Sequence, residues 1–175
     1  MKRRTGASIS LLSSLVFLLL AGCAAPEYVK PEARPIIKES VIHKSYDTVW
    51  QNTVEWFATH NTPIKNIDKT SGLISTEYSL SLEDAALYMN CGSGESNFNG
   101  KVELVNHTGN FNVLLKKIDD HSTRVSINAF FGCTVNRYRY ENVLSTDYVL
   151  ESSTRTSCSS TGNLEKSILE YLAGR

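Results

Sequence analysis

The sequence predicts an α+β fold in which a single antiparallel β-sheet carries two main helices on one face, in the order β-α-β-β-β-β-α. Apolar residues recur at helical spacing after residue 46 and again near the C-terminus, and they alternate with polar residues at 111–115 and 125–131. A spacing of three to four predicts a helix with one apolar stripe, and alternation predicts a strand with one apolar face. Because both surfaces must be buried, we expect the helices to pack on the sheet.

The first 22 residues have the pattern of a secretory signal peptide. Basic residues occupy positions 2–4, and the apolar stretch Ile9–Ala21 is shorter than the roughly 20 residues that cross a bilayer as a helix. Its end, Leu20-Ala21-Gly22-Cys23, resembles the lipobox of bacterial lipoproteins. The resemblance implies cleavage before Cys23 and attachment of lipid to that cysteine. The alternative is an ordinary signal peptide followed by a chance cysteine.

Lipidation at Cys23 predicts a location at the bacterial outer membrane, facing the periplasm. Lipoproteins without Asp after the cysteine generally go there, and Ala24 follows here. Removing residues 1–22 from the 175 leaves 153, with 15 basic and 18 acidic side chains. This balance gives no electrostatic basis for binding nucleic acid, so we expect membrane contact through the lipid alone.

Residues 23–37 are predicted to form a tether, and residues 38–175 a single α+β domain. Pro26, Pro31 and Pro35 all fall in the first segment. Proline restricts φ and favours extended backbone, so this segment is expected to act as a semi-rigid spacer. The rest of the chain has the length of one domain and is long enough to bury a core.

The domain is predicted to begin with a short strand over 38–44 and a helix. Asp47 is the predicted N-cap of that helix. Its apolar stripe consists of Val49, Trp50, Val54 and Phe57. Trp50 is therefore expected in the core rather than in a ligand platform. The helix should end before Pro63, because proline excludes the preceding residue from helical backbone angles.

A hairpin and a short helix are predicted next. Two strands flank the turn at 68–72, and Ser81 with Asp84 forms a capping-box pattern for a helix that reaches Met89. Residues 91–100 are expected to form a loop.

A second hairpin is predicted from the alternation at 111–115 and 125–131, with its turn at 119–122. Residues 102–104 predict a further strand, and a third hairpin is expected around 142–146. The last helix has Leu164, Ile168 and Leu172 on one face beside Leu169, with Thr161 as its predicted N-cap.

No motif in the sequence predicts catalysis, a cofactor or a metal. The chain has neither a Gly-x-Ser-x-Gly nucleophile motif nor a glycine-rich phosphate loop. The four histidines are scattered, and no two have the spacing of metal ligands on a helix. We therefore predict a protein without enzymatic activity, cofactor or metal.

Three cysteines, Cys91, Cys133 and Cys158, remain once Cys23 is assigned to lipid. Disulfides persist in exported proteins, so three thiols allow three alternative single bridges and leave one cysteine over. The competing hypothesis makes Cys158 a reactive thiolate, because it precedes a helix whose N-terminus would lower its pKa. No histidine can be assigned as its base from the sequence, so a structural disulfide is favoured.

Four segments carry a family resemblance: Ser45-Tyr-Asp-Thr-Val-Trp50, Ile64-Lys-Asn-Ile-Asp-Lys-Thr-Ser-Gly-Leu-Ile74, Asn90-Cys-Gly92 and Cys158-Ser-Ser-Thr-Gly-Asn-Leu-Glu165. They are similar to a group of uncharacterised bacterial lipoproteins and, more distantly, to domains of the C component of the outer-membrane β-barrel assembly machinery. The resemblance implies pairing of Cys91 with Cys158 and an accessory binding role without catalysis. The chain departs from that component in having one such domain rather than two, and Cys133 lies outside the shared motifs.

Arg137-Tyr138-Arg139-Tyr140 is the candidate partner surface, because Arg and Tyr are enriched in interface hot spots. In a strand both tyrosines would face one side and both arginines the other; the alternative is ordinary sheet packing with a solvated arginine face. The leading hypothesis is a lipid-anchored, non-enzymatic outer-membrane lipoprotein that serves as an accessory domain of an envelope complex. The alternatives are a thiol-dependent periplasmic enzyme using Cys158 or Cys133, and a carrier of a small ligand or lipid.

Overall fold

The computed structural model describes residues 24–76, 78–142 and 146–175. The predicted signal peptide, Cys23 with its lipid, and the middle of the loop predicted around 142–146 lie outside these residues. Within them the chain forms three helices: α1 (Tyr46–Thr59), α2 (Leu82–Tyr88) and α3 (Asn163–Gly174). None of these described helices is long and apolar enough to cross a membrane.

The described residues also form eleven strands. In chain order these are β1 (Tyr28–Val29), β2 (Glu39–Ile42), β3 (Ile64–Asp68), β4 (Leu73–Thr76), β5 (Tyr78–Ser79), β6 (Met89–Asn90), β7 (Ser93–Gly94), β8 (Ser96–Asn97), β9 (Gly100–Asp119), β10 (Ser122–Tyr140) and β11 (Tyr148–Ser160). All of the pairings between them are antiparallel.

The predicted fold class, one antiparallel sheet with two helices on one face, is wrong. The structure is mostly β, with 50% of residues in strands and 23% in helices, and its described part has two sheets and three helices. β1 and β7 form a small separate sheet, and the other nine strands form the large one. Five of the strands have only two residues. Four of them pair with segments distant in sequence, whereas β8 pairs with the start of β9 across a tight turn. Strands of two residues are too short to show an alternating pattern.

β9 and β10 form a hairpin of 20 and 19 residues that runs the length of the large sheet. Their turn is the predicted one, where the Asp119 carboxylate accepts a hydrogen bond from the backbone N–H of His121 at 2.8 Å. The hairpin prediction is confirmed, but both strands extend much farther than the alternation indicated. A register shift in β9 between Val105 and Thr108 changes the buried positions from even-numbered to odd-numbered residues. The alternation in the sequence is therefore interrupted there, although the strand is continuous.

Different partners flank the two long strands along their length. The edge of β9 that faces away from β10 pairs in turn with β4, β5 and β8. The edge of β10 that faces away from β9 pairs with β2 near the hairpin turn and with β11 from Phe131 onward. The main order across the sheet is therefore β3-β4-β9-β10-β11-β6.

α1 packs its apolar stripe against the half of the sheet that contains the hairpin turn. Its buried residues are Val49, Trp50, Thr53, Trp56 and Phe57, which confirms Trp50 as a core residue. Ser45, rather than the predicted Asp47, caps the helix, because its hydroxyl accepts from the backbone N–H of Thr48 at 3.3 Å. The Asp47 carboxylate instead pairs with Lys69, in the turn between β3 and β4, at 2.8 Å.

α3 lies beside α1 and completes the core. The predicted stripe is buried: Leu164, Ile168, Leu169 and Leu172. Phe57 of α1 stacks on Phe111 of β9 with 5.5 Å between ring centroids. Each large apolar side chain buried in this way contributes about 1.5–3 kcal/mol. Lys44 donates to the carbonyls of Leu172 at 2.8 Å and Ala173 at 2.9 Å, which satisfies acceptors at the helix C-terminus.

The N-cap predicted at Ser81 and the first hairpin are both confirmed. The Ser81 hydroxyl accepts from the backbone N–H of Asp84 at 3.0 Å and donates to its carboxylate at 2.8 Å. β3 and β4 pair as predicted, and their turn requires glycine. Gly72 has φ +77°, and a Cβ there would lie 2.1 Å from the carbonyl oxygen of Leu115.

The segment predicted as a tether, residues 23–37, is partly folded onto the domain. β1 lies within it and pairs with β7, and the Tyr28 hydroxyl donates to the carbonyl of Cys91 at 2.7 Å. Arg137 of β10 donates to the carbonyl of Pro26 at 3.0 Å. These contacts place the segment over the part of the sheet formed by residues 100–105, 134–140 and 148–157, which we call the outer end.

Candidate functional site

Two cysteines face each other where β11 pairs with β6. Ser159 is opposite Asn90 in this antiparallel pair. Cys158 precedes Ser159 and Cys91 follows Asn90, so the two cysteines come opposite each other. The structure joins them by a disulfide, the pairing that the family resemblance implied. The bridge ties the segment after α2 to the last strand across 67 positions of sequence.

Cys133 lies beside this bridge. It is opposite Thr156 in the β10–β11 pair and therefore diagonal to Cys158, and its side chain is 1% exposed. The sulfur atoms of Cys91, Cys133 and Cys158 all lie within 4.8 Å of one another. Sequence reasoning left Cys133 without a neighbour, because the register that sets the diagonal depends on long-range strand pairing.

The chemistry of this cluster is that of a partly buried disulfide beside a buried, protonated thiol. Burial raises the pKa of the Cys133 thiol, which lowers its thiolate fraction. Cys158 lies within β11, whereas α3 begins at Asn163, so the helix dipole expected to activate it is not close in sequence. The three sulfurs are near enough to share an ion, but the disulfide leaves two of them unavailable as thiolate ligands.

Hydroxyl groups occupy the start of α3. The Ser160 hydroxyl accepts from the backbone N–H of Gly162 at 3.0 Å and donates to the Glu165 carboxylate at 2.9 Å. Gly162, with φ +86°, takes the N-cap position predicted for Thr161. Glu165 is fully buried, and its second carboxylate oxygen has no hydrogen-bond partner among the described residues. The only sequence signal for this buried acid is its place beside Leu164 in the stripe.

The predicted partner surface is divided between the two faces of β10. Arg137 lies on the face covered by the N-terminal segment, where it holds Pro26. Tyr138 and Tyr140 are half-buried on the opposite, open face, and Arg139 is exposed near the strand end. Arg137 therefore positions the tether, and the other three side chains remain accessible.

Four side chains of the outer end form a cluster on the open face that we call the tyrosine face: Lys101, Tyr138, Tyr140 and Tyr148. The Lys101 ammonium lies 4.4 Å from the ring centroid of Tyr148 and 5.2 Å from that of Tyr138. Tyr140 and Tyr148 stack at 4.7 Å, and the Tyr148 hydroxyl donates to that of Tyr140 at 3.0 Å. A hydrogen bond to Glu103 raises the pKa of Lys101, which keeps it charged for the cation–π contacts.

β11, next to the tyrosine face, has an open edge. β10 pairs along one side of it, whereas β6 pairs on the other side only at Ser159 and Ser160. Among the described strands none pairs with the outer side of residues 148–157. Tyr148 and Leu150 there are 37% and 51% exposed. Such an edge presents unpaired backbone N–H and C=O groups that an extended partner chain can bind.

A groove of about 520 Å³ lies between the N-terminal segment and α3. Ile36, Ile37, Leu169 and Ala173 supply apolar lining, with Lys166 among the polar residues beside them. The groove is on the side of the molecule formed by the start of β2 and α3, away from the tyrosine face.

Comparison of the chain with family models, curated proteins and solved structures found no match. A functional assignment therefore depends on the features described above.

Proposed function

We propose that the protein is a lipid-anchored, non-enzymatic accessory module of the bacterial cell envelope. In this proposal it faces the periplasm from the outer membrane and docks a protein partner at its outer end. The lipobox supports the location. The observation that carries the docking role is the open edge of β11 beside the partly exposed aromatic side chains of the tyrosine face.

The composition of this surface suits a protein partner. Tyr and Arg dominate the energetics of many interfaces, and an open strand edge adds directional main-chain hydrogen bonds. The tyrosine rings are already held by stacking and by Lys101, so binding a partner would cost little additional side-chain conformational entropy. The buried, protonated Cys133 and the oxidised Cys158 make the thiol-enzyme alternative less attractive.

Site-specific photocross-linking in intact cells tests this proposal. A photoreactive amino acid at Leu150, on the open edge of β11, is expected to trap one envelope protein that mass spectrometry can identify. The same group at Ile118, which is 48% exposed near the hairpin turn, is the matched control and should trap little.

A Tyr140→Ala, Tyr148→Ala double variant should reduce the trapped product from Leu150 without reducing the amount of protein in the membrane. Cross-linking that is equal from Leu150 and Ile118, or unaffected by the double variant, would contradict docking at the outer end.

The groove beside α3 favours a second candidate function, that of a carrier for a small apolar ligand. Its volume and its isoleucine and leucine lining suit such a molecule. Native mass spectrometry of the purified chain should then show a retained ligand mass that Ile37→Arg, at an exposed position of the groove, abolishes. A single unliganded species from cells and from lipid-supplemented buffer would exclude this function.

A further inference from the structure

The first described residue is bound to a turn at the outer end of the sheet. The carbonyl oxygen of Ala24 accepts hydrogen bonds from the side-chain amides of Asn97 at 3.1 Å and Asn99 at 2.9 Å. Asn97 ends β8 and Asn99 immediately precedes β9. The two are also joined to each other, because the Asn97 side chain accepts from the backbone N–H of Asn99 at 2.9 Å. Since Ala24 directly follows Cys23, this turn is one residue from the predicted lipid.

Phe98, the residue between these two asparagines, is 68% exposed. It borders one open depression together with Arg139 and Tyr140. Protein surfaces that lie in a membrane interface combine apolar side chains such as Phe, Trp and Leu with Lys and Arg. There the ring enters the boundary of the acyl chains, and the guanidinium binds lipid phosphates by charge-assisted hydrogen bonds.

We propose that Phe98 is a second membrane contact, which inserts into the phospholipid leaflet beside the lipid on Cys23 while Arg139 binds headgroup phosphates. The inference rests on the lipid attachment in the proposed function. One exposed ring contributes little to membrane affinity on its own. A lipid anchored one residue from Ala24 raises its effective concentration at the bilayer, so that a weak contact suffices to orient the domain.

Insertion of Phe98 would give the domain a defined orientation. The outer end would lie at the membrane, and the hairpin turn at 119–122, at the other end of β9 and β10, would point into the periplasm. The tyrosine face and the open edge of β11 would then lie close to the bilayer, where a membrane-embedded partner could reach them.

Fluorescence quenching by brominated lipids tests this orientation. The mature, unacylated chain is coupled through Cys23 to a maleimide phospholipid in vesicles of phosphatidylethanolamine and phosphatidylglycerol; the buried Cys133 thiol does not compete for coupling. Phe98→Trp is compared with Ile118→Trp, an exposed position near the opposite end of β9. We expect several-fold stronger quenching of the tryptophan at 98, above the constant background of the buried Trp50 and Trp56. Equal quenching at the two positions would overturn the proposal.

Hydrogen exchange of the unsubstituted coupled chain gives a second measurement. Membrane coupling should slow exchange in residues 96–102, and Phe98→Ala should remove that protection; protection that persists in Phe98→Ala would also overturn the proposal. Chemical coupling makes both results independent of whether cells lipidate Cys23. Membrane fractionation and the mass of the N-terminal peptide test lipidation separately.

Discussion

Ser160 is a residue at which one hydroxyl serves two groups. It donates to the buried carboxylate of Glu165 and accepts from the N–H of Gly162 at the start of α3. A buried carboxylate is costly unless hydrogen bonds and nearby positive charge stabilise it. The N-terminal end of the α3 dipole supplies part of that stabilisation, and Ser160 supplies a hydrogen bond.

Ser160→Ala is expected to lower the free energy of unfolding by about 1–3 kcal/mol, because it leaves a buried carboxylate oxygen and a helix N–H without this partner. Urea unfolding followed by circular dichroism measures the change. Ser157→Ala, at an exposed position on the same strand, is the control and should cost less than about 0.5 kcal/mol. Similar losses in the two variants would contradict the role of Ser160.

Cys133 is expected to be the single free thiol of the unacylated Cys23→Ser chain. A thiol reagent should label no cysteine in the native protein, because Cys133 is buried and the other two are paired. In guanidinium without reductant it should label one thiol per chain, and peptide mapping should place the label on Cys133. Label on Cys91 or Cys158 would show that the bridge is arranged differently.

At the scale of the elements, helices were easier to predict than strands. The apolar stripes of α1 and α3 are local patterns, and the structure buries the predicted side chains of α3. Most strand pairing is non-local, so the sequence predicts β9 only in pieces. It does not predict β1, β6, β7 or β8, which have two residues each and therefore no alternating pattern. The sequence predicts Asp47 as the cap of α1, but Ser45 caps the helix and Asp47 pairs with Lys69 from another turn.

Lys69→Met is expected to raise the pKa of Asp47 toward its ordinary value of 3.8, because the hydrogen bond from Lys69 is the main cause of its lowering. NMR titration of the carboxyl carbon measures this change. Because the pKa of Asp47 is lower in the folded state, its ionised carboxylate stabilises the fold when the pH is above the ordinary pKa. That stabilisation is lost as the pH falls through the folded-state pKa. Asp68, whose pKa is lowered mainly by Ser71, is the internal control. An unchanged Asp47 titration would exclude the pair in solution.

At the scale of the whole molecule, the Cys91–Cys158 bridge links two segments that are distant in sequence but share one hydrophobic core, because Cys91 belongs to the buried cluster and Cys158 packs against it. It joins the segment after α2, which also holds β1 of the N-terminal segment, to the end of β11. The bridge therefore adds a covalent link between the part of the fold that holds the N-terminal segment and the last strand.

A Cys91→Ser, Cys158→Ser double variant is expected to lose up to about 4 kcal/mol of stability, which is the chain-entropy value for a loop of this length. Denaturant unfolding in non-reducing buffer measures it. Cys133→Ser, which removes a buried thiol but no bridge, is the control. A double variant as stable as the parent chain would show that the bridge does not constrain the unfolded state.

The sequence by itself determined the apolar stripes of the two long helices, the cap at Ser81 and the turns of two hairpins. It also predicts the export signal and the lipid site. These depend on residues close together in the chain, where propensity and periodicity act directly. Tertiary structure decided the sheet order, the docking of the N-terminal segment, the neighbours of Cys133 and the exposure of Phe98. The first three depend on the register between distant segments, and a one-residue shift such as the one in β9 is enough to change which side chains meet. Phe98 lies in the local turn between β8 and β9, and it is exposed because no other described segment covers that turn.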